Sequence, residues 1–163
     1  MTESKTVQAI PIARDSHVAG AGDGLFTRAS ENLAEGSNDG LADANHLVAA
    51  ALDKKALEPV LLDVRALCSY TSYILLVSGR SDRQVDAIAE NLVAAMRERG
   101  VRPLGTEGQG SGQWVLLDFG DVIVHVFRHT VREHYDLEGL WIDAKRVPLI
   151  LPDEAKVPAP ELY

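Results

Sequence analysis

His125, His129 and His134 share one short stretch with Glu133 and Asp136, and imidazoles beside carboxylates can hold a transition metal. The spacing argues against it. His125 belongs to an apolar strand, the other two follow in a turn, and no pair has the tight separation of ligands on one element. A satisfied strand histidine at 125 with surface histidines at 129 and 134 is the simpler reading. Asp118-Phe119-Gly120 spells the metal-binding triplet of protein kinases, but no Gly-rich loop follows a strand and no His-Arg-Asp occurs. A hairpin turn accounts for it. Gly105–Gly112 has glycines enough to cradle phosphate, yet it lacks a Gly-Lys-Ser/Thr ending and does not run into a helix. Cys68, the only cysteine, excludes a disulfide within the chain and reads as a small apolar filler without a His or Asp partner.

Ser78-Gly79-Arg80-Ser81 is the stronger candidate. It joins a buried strand to a helix N-terminus, where free N–H groups and the helix dipole attract anions. Nucleotidyltransferases of the polymerase-beta type place a Gly-Ser turn here, but they also need two close carboxylates to hold two metals. Asp118 and Asp121 are three apart and flank a turn. Two carboxylates on one face of a strand would be two apart, because side chains alternate. Trp141 has two readings of equal weight: a core residue closing the sheet, or an anchor on a partner, since Trp and Tyr dominate interface hot spots.

The elements that must carry these residues are legible as periods. Leu41, Leu47, Val48, Ala51 and Leu52 form one helical side, with N-cap oxygens available at Ser37, Asn38 and Asp39, and Pro59 breaks the pattern. Val60–Val64 predicts a strand, Arg65–Thr71 a connection, and the apolar run Tyr73–Val77 a strand buried on both faces. Ser81-Asp-Arg-Gln84 is a capping box. Val85, Ile88, Ala89, Leu92, Val93 and Met96 follow at helical spacing, and Gly100 stands where a left-handed C-cap belongs. Val101–Leu104 is at best a short strand and Gly105–Gly112 a flexible loop. Gln113–Asp118 and Asp121–Phe127 pair across Phe119-Gly120, Gly120 supplying the turn's positive φ. Thr130–Tyr135 and Leu137–Trp141 are single helical turns. The sum is an α/β fold, a mixed sheet of about five strands flanked by helices. Residues 1–40, rich in Gly, Ala, Ser, Asn and Asp, predict a flexible extension; 41–147 a folded domain; 148–163 a loose tail.

Charge limits the partners. The chain carries 24 carboxylates against 16 Lys and Arg, a net −8, divided as −3, −3 and −2 over residues 1–40, 41–147 and 148–163. No region is a basic footprint of the kind that tight, sequence-blind nucleic-acid binding needs, and no direct sequence-specific nucleic-acid contact is expected either. An acidic chain suits a basic protein partner, or its charge simply keeps it soluble. No apolar run approaches the roughly 20 residues that span a bilayer. Residues 1–15 lack the apolar core of a secretory signal, so no membrane and a cytoplasmic address are expected.

Three blocks, in this order and spacing, carry a resemblance. They are Tyr73-Ile-Leu-Leu-Val-Ser-Gly-Arg-Ser-Asp-Arg-Gln-Val85, Trp114-Val-Leu-Leu-Asp-Phe-Gly-Asp-Val-Ile-Val-His-Val126 and Arg132-Glu-His-Tyr-Asp-Leu-Glu-Gly-Leu-Trp141. Together they resemble the ribosomal silencing factor family, also called Iojap-like, over roughly Leu41 to Val147. The resemblance implies a nucleotidyltransferase-like topology without nucleotidyl transfer, no cofactor, and a homodimer. It also implies binding to ribosomal protein L-fourteen on the joining face of the large subunit, so that subunit association is blocked and translation silenced. By the same resemblance Asp118, Asp121 and His125 lie in the most recognisable strand motif. Arg132, Tyr135, Leu137, Glu138, Leu140 and Trp141 form the closing motif. These nine are the expected partner surface, while Ser81, Arg83 and Gln84 are expected to be structural. Ser72 stands where the family usually has Asp, and Ile142 where a Gly commonly follows the Trp. The rival expectations are a metal-dependent nucleotidyltransferase and a large-subunit assembly factor using the same surface.

Overall fold

The computed structural model describes residues 40–156. The N-cap candidates Ser37, Asn38 and Asp39, and the extension they end, lie outside those residues. A helix, α1, runs through residues 40–53. It is followed by β1 (Leu57–Asp63), β2 (Tyr73–Gly79), α2 (Asp82–Glu98), β3 (Gly105–Glu107), β4 (Trp114–Asp118) and β5 (Val122–Arg128). The chain continues with α3 (His129–Tyr135), α4 (Leu137–Leu140), β6 (Lys145–Val147) and α5 (Asp153–Lys156).

The strands form one mixed sheet in the order β3-β4-β5-β2-β1-β6. Only β2 and β5 are parallel, aligned from Tyr73↔Val122 to Gly79↔Arg128; the other neighbours are antiparallel. Strand alternation sorts the apolar residues into two layers. Leu75, Val77, Val115, Leu117, Val124 and Val126 meet α1 and α2 through Leu47, Ala51, Ile88, Leu92 and Met96. Ile74, Leu76 and Phe127 face the other way, with Leu62, Val64 and Leu137. Truncating one of the fully buried leucines to Ala would cost about 2–5 kcal/mol.

Helix α2 begins as its capping box predicts: Ser81 Oγ accepts the Gln84 N–H at 3.2 Å. The Gln84 carboxamide reaches one residue further back, accepting the Arg80 N–H at 2.6 Å. It also donates to the Lys54 and Lys55 carbonyls at the end of α1, so one side chain ties two helices. Gly100 (φ +78°) ends the helix, its N–H on the Arg97 carbonyl and the Val101 N–H on that of Met96.

The sheet has six strands rather than about five, and the differences lie at its edges. Val101–Leu104 is not a strand. Instead β3 forms inside the expected loop, because the outer edge of β4 needs hydrogen-bond partners and Gly105–Glu107 supplies them. At the opposite edge β6 pairs with Leu61–Asp63. Strand β1 starts earlier than expected and absorbs Pro59 at an irregularity between Leu57 and Val60, where Glu58 takes φ +47°. A bulge is where a strand tolerates a residue without an N–H. Beyond Pro148, Asp153–Lys156 forms one helical turn with Ala155 buried.

Candidate functional site

Helices α3 and α4 are short, and neither could persist without tertiary contacts. What positions them is Asp136. Its left-handed backbone (φ 47°) ends α3, with its N–H on the Arg132 carbonyl. Its carboxylate then caps α4, Oδ1 accepting the Gly139 N–H at 3.2 Å. Gly139 is required there, because a Cβ would collide with that carboxylate. Leu137, 1% exposed, plugs the second layer between Leu62, Val64, Ile74, Leu76 and Phe127.

Arg132 fixes the pair of helices to the sheet. It is buried, and its Nη1 donates to the Glu58 carbonyl at 2.7 Å and to Ser78 Oγ at 2.9 Å. Its Nε donates to Glu138 Oε1 at 3.1 Å, and the second oxygen of Glu138 takes Arg146 of β6 at 3.1 Å. One cation thus joins the β1 bulge, the end of β2 and α4. A buried guanidinium is tolerated only with its donors paired, and the inverted backbone at Glu58 aligns with this need by bringing a carbonyl to it.

Under α3 lies an aromatic group. Trp114 is 4.7 Å from Tyr135 and 5.0 Å from Phe127 between ring centroids, and His125 stacks on Phe127 at 5.9 Å. Trp114 Nε1–H donates to His125 Nδ1 at 3.0 Å, so the ring proton of His125 sits on Nε2, which has no acceptor among the described residues. His125 is fully buried, and burial pushes its pKa down to about 3. The ring is therefore neutral at physiological pH. Among the described residues no three of His, Cys, Asp and Glu gather as metal ligands.

The nine expected partner residues divide. Tyr135, Glu138 and Trp141 are half-buried and Leu140 is exposed; they belong to α3, α4 and the C-cap of α4, the segment that forms a ridge over the sheet. Arg132, Leu137 and His125 are buried beneath that ridge. Asp118 and Asp121 stand at the far end of β5, a strand length of about 20 Å from α3. There Asp118 Oδ1 accepts the Gly120 N–H at 2.9 Å and shapes the turn. Asp121 is exposed, and its carbonyl accepts the N–H groups of Ser72 and Tyr73, each at 3.0 Å. Sequence reasoning named Ile142 only as a departure from the family's pattern and left it out of the partner surface; it is 77% exposed and with Leu140 at 52% makes the ridge apolar. It also left out Trp114, whose place at the start of a hairpin strand opposite Phe127 was the available signal. The Trp141 indole N–H is buried without an acceptor among the described residues. Beside the ridge opens a cleft of about 440 Å³ lined by Asp63, Arg65, Leu67, Asp143 and Lys145. There Arg65 grips Asp63 through two bonds of 2.9 and 2.7 Å and holds its carboxyl below the usual range.

Residues 37–161 match the family model described as "Ribosomal silencing factor during starvation". The chain is 41% identical over 102 residues to a protein of Halalkalibacterium halodurans named ribosomal silencing factor RsfS, covering 63% of this chain and 87% of that one. It is 29% identical over 102 residues to the mouse protein named mitochondrial assembly of ribosomal large subunit protein 1, covering 61% of this chain and 45% of that one. A crystal structure of a Chromobacterium violaceum protein superposes with a TM-score of 0.62 at 36% identity, covering 71% of this chain and 95% of that one.

Proposed function

The chain belongs to the ribosomal silencing factor family, and from that premise we propose that it represses translation without catalysis, by docking on the large ribosomal subunit. The specific reading is that the ridge of α3 and α4 binds ribosomal protein L-fourteen, and that the bound protein obstructs joining of the small subunit. A homodimer acting in the cytoplasm completes the reading. One observation carries it: Leu140 and Ile142 are held in solvent on a turn braced from below by buried Arg132, which is paired with half-buried Glu138. Exposed apolar side chains on a rigid mount suit a protein surface with an apolar pocket, and exposed Asp143 beside them suits a basic group on it. The Trp141 indole supports the same reading. A buried donor without an acceptor costs about 1–3 kcal/mol, which a partner carbonyl would relieve. The large-subunit assignment draws on the name of the mouse relative, and the silencing of ribosomes on the family's own.

The test is co-sedimentation with purified large subunits, followed by a subunit-joining assay. Wild type should sediment with the large subunit and prevent joining. Trp141→Ala should lose about thirtyfold or more in affinity, as a truncated hot-spot residue does. Leu140→Asp and Ile142→Asp touch only exposed positions, so they should lose binding with an unchanged unfolding midpoint. Asp121→Lys tests whether the far end of β5 takes part. If both Asp variants of the ridge bind as wild type does, the ridge is not the docking surface.

A further inference from the structure

Of the Ser78–Ser81 turn only Ser78 serves that ridge, as an acceptor for Arg132; the structure gives the rest of the turn other neighbours. It sits where the parallel strands β2 and β5 end side by side, Gly79 opposite Arg128, the position at which open α/β sheets receive ligands. Arg80 and Arg83 are exposed there, and no carboxylate pairs with either among the described residues. Arg128 adds a third guanidinium: its Nη1 lies 3.2 Å from Asp82 Oδ1, and its Nε is buried without an acceptor among the described residues. Asp82, the first residue of α2, is the acidic group that adjoins this turn. Arg128 balances its charge, and the Gln113 carboxamide donates to it at 3.1 Å. Behind the arginines stands the N-terminus of a 17-residue helix. Its capping serves the Gln84 and Arg80 N–H groups, leaving those of Asp82 and Arg83 without acceptors among the described residues. Helix dipole and side chains therefore act in the same direction, toward an anion.

We infer that this arginine rim seats backbone phosphates of ribosomal RNA, giving a chain of net −8 a second, electrostatic foothold on the large subunit. The inference rests on the ribosome-docking reading, because the anions exposed on a ribosomal subunit are overwhelmingly RNA phosphates. It explains how so acidic a protein approaches a polyanion: the repulsion is spread over the surface, while two uncompensated guanidiniums and two free N–H groups are concentrated at one edge. Contacts of this kind position a protein without reading sequence, and guanidinium is the group best matched to phosphate.

The experiment titrates labelled full-length protein with purified large subunits across a potassium chloride series, and separately with a naked fragment of large-subunit RNA. Wild type, Arg80→Gln/Arg83→Gln and Ile142→Asp are compared after unfolding midpoints confirm that all are folded. The double variant should bind about tenfold or more weakly at low salt. It should flatten the dependence of log affinity on log salt by about 0.7–0.9 for each phosphate it no longer neutralises, and its binding to the RNA fragment should disappear. Ile142→Asp should weaken subunit binding with the slope and the RNA binding preserved. An unchanged slope in the double variant overturns the inference. So does a changed slope with unaltered RNA binding, which would assign the rim to an acidic protein segment. If Ile142→Asp binds like wild type while the double variant loses slope and RNA binding, the docking ridge fails and the arginine rim stands. If wild type binds neither subunits nor the RNA fragment, both fall.

Discussion

Replacing Arg132 is the sharpest perturbation of this molecule, because the buried cation joins three elements. Arg132→Ala removes bonds to the Glu58 carbonyl, Ser78 Oγ and Glu138 Oε1. Breaking a buried ion pair from one side costs about 3–5 kcal/mol when the remaining charge is stranded. Here Glu138 is 28% exposed and keeps Arg146 as a partner, so its share of that penalty is small. What remains is a carbonyl and a hydroxyl losing their donor, each about 1 kcal/mol or more, together with the cavity left by the side chain. The expected loss is about 2–4 kcal/mol, which in a domain of this size lowers the melting temperature by about 10 °C. Arg132→Lys should recover only part of it, since one ammonium cannot span the fork that Nε and Nη1 bridge. Urea unfolding at neutral pH, followed by fluorescence of the two tryptophans, reads the midpoint and its slope. A loss below about 1 kcal/mol, outside this expected range, accompanied by abolished subunit binding would refute the reasoning. Arg132 would then touch the partner rather than hold the surface that does.

Two further outcomes follow from the described geometry. At pH 7 His125 is neutral in both the folded and the unfolded chain; below about 6.5 the unfolded chain takes up a proton that the folded chain refuses until about pH 3. Stability should therefore fall as pH drops through that window, by about 2 kcal/mol between pH 7 and pH 5, and a His125→Gln variant measured by urea unfolding should show a correspondingly flatter profile. Gly112 has φ +71° and lies against Asp82, so Gly112→Ala should cost more than about 1 kcal/mol and loosen the arginine rim, visible as faster hydrogen exchange in the first turn of α2.

What the sequence disclosed depended on element length. Strand β2 is built on the apolar run Tyr73–Val77 and α2 on a stripe between a Ser cap and a Gly stop, and both lie where periodicity predicts. Strands β3 and β6 have three residues each, nearly all exposed. They exist because a neighbouring edge needs partners, which no local period records. The bulge at Pro59 is hidden for a related reason, since proline by itself signals a break rather than a strand that bends around it. In the candidate site the ridge residues were nameable from the closing motif, but their division was not. Arg132 and Glu138 are six apart, a spacing that places no two side chains together on a helix. The left-handed Asp136 between them is what brings them together.

The parallel pairing of β2 with β5 has a consequence for when this protein becomes competent. These strands are about fifty residues apart in sequence, and closing so long a loop is a slow event in folding. Helix α2, β3 and β4 must all be present before β5 can seat, and α3 and α4 are anchored only afterwards, through Arg132 reaching Ser78 at the end of β2. A chain folding in this order would complete most of its interior before the ridge proposed to dock, so that surface would form on a sheet already built.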